Sequence, residues 1–148
     1  MPSEGARTAR AVDSVQPQRE ALRDAHRAFG AACESREQSA VLAASFAELR
    51  SAFDAHVEYA EGRSGLFEEL LDDEPTKAAP EVDRLRRDHI VIAAAMDRVG
   101  RLLGDGADLD DDRLAGASTE LIRLLGQHRR RGAELLHQVY GVSIGAGD

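Results

Sequence analysis

The stretch AVLAASFAELRSAFDAHVEYAE, residues 40–61, decides the fold. Leu42, Phe46, Leu49, Phe53, His56 and Ala60 recur in alternating steps of four and three, the spacing of a helix that lays one stripe against partner helices. His56 stands inside that stripe, where both ring nitrogens need partners. Gly62 and Gly65 then end the segment.

Working outward, the same periodicity returns three times. A first segment from about Pro17 to Glu34 places Leu22, His26, Phe29 and Cys33 on one face, with Pro17 suited to a first helical turn. Ser35 and Ser39 in the following break are candidate N-caps. After Gly65, LFEELLDD reads as a short extra helix, followed by a Pro-containing linker, EPTKAAP. A segment from Pro80 to about Gly104 carries Val82, Leu85, His89, Ile92, Met96, Val99 and Leu103. The loop GDGADLDDD supplies acidic caps for a last segment over Asp112 to Tyr140, with Leu114, Leu121, Leu124, Leu125, His128, Leu135 and Val139 near one face. The expected architecture is all-α, an antiparallel up-down four-helix bundle with a short extra helix after the second. Residues 1–14 are expected as a disordered polar arm, 15–140 as the bundle and 141–148 as a glycine-rich tail.

Composition agrees and narrows the function. Acidic residues number 27 against 19 Lys and Arg, a formal charge of −8. That balance disfavours nucleic acid or an anionic membrane as partner. The single cysteine, Cys33, cannot form an internal disulfide and fits a reducing compartment. No secretory signal is evident in the opening residues, and no apolar run approaches the ~20 residues of a membrane span. A cytoplasmic soluble domain is expected.

Each expected helix carries one stripe histidine: His26, His56, His89 and His128. A lone histidine of this kind is ordinarily a core residue bonded to a carbonyl or carboxylate. Here their levels agree, closely for His89 and His128 and within about a turn of helix for His26 and His56. His89 lies about 14 residues before Leu103 and His128 about 15 after Arg113, which agrees within a few ångströms at ~1.5 Å per residue. The midpoint of His26 and His56 is residue 41, near the break between their helices. Imidazoles converging in an apolar core are costly unless their lone pairs are shared, and a transition metal shares them. The fifth histidine, His137, turns about 180° away from His128.

Glu61 follows His56 by five residues, which places it about 140° around a regular helix. It joins a metal only if the helix bulges or unwinds before Gly62; otherwise it is a solvated glutamate at the helix end. Cys33, two turns from His26, is expected to be a buried inert thiol. Tyr59 and Tyr140 are expected to pack at bundle ends. Arg131, about 60° from His128, is a candidate to neutralise an anionic ligand or pair with a buried acid.

One histidine per helix with a carboxylate after the second, in HVEYAEGRSGLFEELL, RDHI and QHRRRGAELL, resembles the hemerythrin-like (HHE) cation-binding family over about residues 15–140. The resemblance implies a non-haem iron centre, two irons in the family's usual form, binding O2, peroxide or NO. Its implied ligands are His26, His56, Glu61, His89 and His128. The chain departs from the pattern in two places. Gly132 and Ala133 stand where a carboxylate would follow His128, with Glu134 the nearest acid, and Leu85 replaces a second histidine before His89. A single-metal site is therefore also allowed. Two alternatives remain open: an iron-dependent oxygenase or peroxidase acting on an organic substrate, and a metal-free helical interaction module.

Overall fold

The computed structural model describes residues 4–141, with side chains described from residue 17 onward. The described residues form five helices: α1 (Glu4–Glu34), α2 (Ser39–Glu61), α3 (Leu66–Asp73), α4 (Pro75–Gly104) and α5 (Asp112–Tyr140). The four long ones form the bundle and α3 is the short extra helix. The N-terminal arm expected over 1–14 and the tail over 141–148 lie outside the described residues, apart from the helical backbone of α1 and Gly141.

The short connections fold α1 back on α2 and α4 back on α5. Each hairpin is closed by backbone geometry rather than by apolar contact alone. After α1, Arg36 enters the left-handed region and the Glu37 N–H bonds the Ala32 carbonyl at 3.0 Å. After α4, Gly106 (φ 86°) makes the same turn, with the Ala107 N–H on the Leu102 carbonyl. Asp111 caps α5 through the Arg113 N–H, as its acidic loop foretold. The cap of α2 is Gln38, with Ser39 the first helical residue.

Two boundaries differ from expectation. The helix of α1 is continuous through Pro17. The expected linker EPTKAAP is the first turn and a half of α4, because Pro75 occupies N1, where its missing N–H costs nothing, and Ala78 is buried. Pro80 then lies within the helix and removes one intrahelical donor.

Burial follows the stripes. One apolar cluster gathers Leu22, Phe29, Leu42, Leu49, Phe53, Ile92, Met96, Val99, Leu114, Leu121 and Leu125. A second gathers Ala60, Leu66, Phe67, Leu70, Val82, Leu85, Leu135 and Leu136 under α3. His56, His89 and His128 each fall in sequence between a residue of the first cluster and one of the second. The core is thus two apolar compartments separated by a layer of imidazoles.

The corner between α2 and α3 sets this division. The Gly65 N–H bonds the Gly62 carbonyl at 2.9 Å, and the chain passes so closely over the end of α2 that a Cβ on Gly65 would stand 2.2 Å from the Tyr59 carbonyl oxygen. Only glycine permits that approach. Gly65→Ala is expected to lower stability by about 1–3 kcal/mol, read as a lowered urea midpoint; an unchanged midpoint would contradict the close approach.

Candidate metal centre

His56 on α2, His89 on α4 and His128 on α5 meet in the middle of the bundle. The Nε2 of His128 lies 3.2 Å from Nε2 of His56 and 3.1 Å from Nε2 of His89. The donor atoms of all three lie within 4.8 Å of one another, a group that can hold a metal ion. His89 and His128 are buried. His56 is partly exposed as a residue, although its Nδ1 is sealed from solvent and has no hydrogen-bond partner.

The outer nitrogens determine what the inner ones present. Nδ1 of His89 faces Glu61 Oε2 at 2.7 Å, and Nδ1 of His128 faces Asp88 Oδ2 at 3.0 Å. A carboxylate accepts, so each Nδ1 carries the proton and donates. In the neutral imidazole the Nε2 atoms of His89 and His128 then hold lone pairs, and these face one another at 3.1 Å. Two acceptors at that distance repel unless a proton or a metal ion lies between them. Nitrogens 2.0–2.1 Å from one tetrahedral or octahedral ion are separated by about 2.9–3.4 Å, which brackets both measured separations.

The rings are held from several sides. Phe67 stacks on His89 with centroids 5.7 Å apart, and Phe53 meets its edge at 5.9 Å. Asp88 also accepts from Arg131 Nη1 at 2.6 Å, so that arginine pairs with a partly buried acid. Burial pushes the Asp88 carboxyl up, but the hydrogen bonds from His128 and Arg131 outweigh it and leave the group below its usual range. Burial also drives His56 well below its ordinary 6.5, with the neighbouring His128 and His89 adding to the effect. His89 is lowered by burial and by His128, against the opposing pull of Glu61. Both are therefore neutral, and able to ligate, near pH 7.

Glu61 and His26 stand elsewhere than the family resemblance implied. The helix is regular through Glu61, with neither bulge nor unwinding, so the side chain turns about 140° from His56. It reaches across to α4 and grips His89 from behind rather than joining the nitrogen cluster. His26 has both nitrogens engaged on α5. Nδ1 meets Arg129 Nη1 at 2.8 Å, and Nε2 meets the Ile122 carbonyl at 3.1 Å. Ile122 and Arg129 lie about 100–120° around α5 from His128, so α1 approaches the flank of α5 and not its histidine face. A matching level along the axis did not ensure a shared face.

Asp88 escaped the sequence reading. Its signal was present in RDHI, where an acid directly before His89 projects about 100° from it, toward the neighbouring helix. The remaining candidates are peripheral. Cys33 packs against the first apolar cluster, its thiol raised by burial. The Tyr140 hydroxyl donates to Asp73, and Glu134 accepts from Gln138 at the surface.

Beside the cluster lies a small cavity of about 30 Å³, lined by His56, His128, Arg19, Arg129 and mostly leucine side chains. Room of that size admits one or two water-sized groups. No helix among the described residues is long and apolar enough to cross a membrane. No protein-family model, curated protein or solved structure matches the chain.

The metal-free fold should weaken in acid. His56 and His89 are lowered in the folded state, so the unfolded chain binds more protons as pH falls below about 6.5. Their contribution is present above that pH and lost progressively beneath it. Urea midpoints of chelator-treated protein are expected to fall between pH 7 and 5.5. Replacing His56 with Leu should flatten that slope and leave the metal-free protein at least as stable, since a sealed, unpartnered nitrogen is removed.

Proposed function

We propose that this is a hemerythrin-like non-haem metalloprotein. In this reading His56, His89 and His128 hold a single iron ion, and a small ligand of the size of O2, NO or peroxide enters the adjoining cavity. The observation that carries the reading is the pair of facing Nε2 lone pairs on His89 and His128, imposed by two carboxylates on their outer nitrogens. Neutral imidazole suits iron, zinc, copper or nickel, and the family resemblance favours iron. When bound, the ion would supply Lewis acidity and one-electron exchange.

The chain's own residues do the rest. Glu61 and Asp88 hold the outer protons, fix each tautomer and raise the basicity of the inner nitrogens. Phe53 and Phe67 hold the His89 ring, and Arg131 keeps Asp88 in place. Three protein donors leave coordination positions for an exogenous ligand. The leucine-lined cavity limits the water that can compete.

A single ion is favoured over a di-iron centre because Glu61 and His26 are both engaged by other partners. The cavity's size also favours a small ligand over an organic substrate of more than a few atoms.

Full-length protein expressed with iron, manganese and zinc supplements is expected to carry about one equivalent of metal, iron foremost, by elemental analysis. Less than a tenth of an equivalent would overturn the reading. His89→Ala should abolish uptake. Asp88→Asn should weaken metal affinity by about 10–100-fold through the lost orientation of His128; undiminished affinity would show that the carboxylate does not serve the site.

A further inference from the structure

We infer that the outward face of α4 pairs with the same face of a second copy of this chain, the two helices running antiparallel about a two-fold axis level with residue 92. This surface is separate from the histidine cluster, so the inference holds with or without a bound metal.

α4 carries two stripes. Val82, Leu85, His89, Ile92, Met96 and Val99 point into the bundle and are buried. Roughly opposite them, Asp83, Arg87, Ile90, Ala94, Asp97 and Arg101 are all exposed. These also recur in alternating steps of four and three, and they fall within about 80° of one another around the helix. That is the spacing of a seam for another helix. Its centre is apolar: Ile90 is 70% exposed, and Val91 at the seam's edge is 50% exposed. Ile90 and Ala93 also border a surface cleft with Phe53 and Val57 of α2, so apolar surface continues beyond the helix.

The order of residues along the seam selects the occupant. It runs acid, base, isoleucine, alanine, acid, base. An antiparallel copy centred on residue 92 sets Asp83 opposite the partner's Arg101, Arg87 opposite the partner's Asp97, and Ile90 opposite the partner's Ala94. The two-fold repeats each pairing, which places complementary charges at both ends of an apolar middle. Ala94 is small enough to admit the branched Ile90 and to let the axes approach to about 8–10 Å. A parallel copy in register would instead set Asp83 on Asp83 and Arg87 on Arg87. An antiparallel copy slipped by one heptad would bring Ile90 against an arginine. Only one register satisfies the whole seam.

The charged groups are available for this pairing. Among the described residues Arg87 and Arg101 form no ion pair. Asp97 accepts from Arg50 through Oδ1, which leaves Oδ2 to meet a second guanidinium. Asp83 stands 3.9 Å from Arg86, a long contact at the surface. The seam is about 27 Å long at ~1.5 Å per residue. An interface of that extent lies at the small end of specific contacts, so the dissociation constant is expected on the order of tens of micromolar.

The test is sedimentation equilibrium of full-length protein from about 5 to 500 µM, a range that brackets the expected constant. Wild type should show reversible monomer–dimer association. Ile90→Lys should weaken it about tenfold or more while leaving the thermal midpoint of the monomer unchanged, since the side chain is exposed. Asp83→Arg and Arg101→Asp each set like charges against each other, and each alone should associate about tenfold more weakly. An equimolar mixture of those two variants should associate as tightly as wild type, because the mixed dimer restores both outer pairs. A wild type that stays monomeric throughout would overturn the inference. So would a dimer indifferent to Ile90→Lys, which would have to form through another face, or a mixture that associates no more tightly than the separate variants.

Discussion

Everything in this bundle turns on the encounter of imidazole nitrogens in its centre. His89 and His128 each give their outer nitrogen to a carboxylate, and so each must turn a lone pair inward. At 3.1 Å those lone pairs face one another in a space closed off by leucine and phenylalanine. A core can bear that arrangement only where something positive is shared among the donors. The carboxylates are therefore as decisive as the histidines: without them each ring could flip its proton inward and become an ordinary hydrogen-bonded core residue.

The architecture serves that encounter by dividing the core. Apolar side chains on one side of the imidazole layer hold α1, α2, α4 and α5 together along most of their length. On the other side a smaller cluster depends on α3, which lies over the end of the bundle because glycines at 62 and 65 let the chain turn within contact distance of its own carbonyls. The same corner ends α2 at Glu61 and delivers Phe67 to the face of His89. Closure of the bundle and orientation of the His89 ring are thus one local event. The small cavity lined by His56 and His128 lies in the same region.

Helix type, helix number and the stripe each helix buries were legible because they depend on residue period, and period survives any arrangement of neighbours. The meeting of His89 and His128 was legible for a related reason: in the α4–α5 hairpin, distance from the connecting loop sets the level. The linker before Pro80 was misread because proline is a helix breaker everywhere except the first turn, and only the buried Ala78 reveals that Pro75 begins a helix.

What the sequence determined by itself is a helical bundle with a layer of imidazoles across its core. Tertiary structure alone decided which of those imidazoles meet. His26 shares the level of the others but looks onto the flank of α5, where Arg129 and the Ile122 carbonyl take both its nitrogens. Glu61 shares their neighbourhood but, on a regular helix, points past His56 to the outer nitrogen of His89. Asp88 and Arg131 meet only because α4 and α5 are packed face to face. Rotation about a helix axis relative to its neighbours fixes all of these pairings. Residue spacing along one chain segment constrains that angle only within its own helix, and the packing of the other helices supplies the rest.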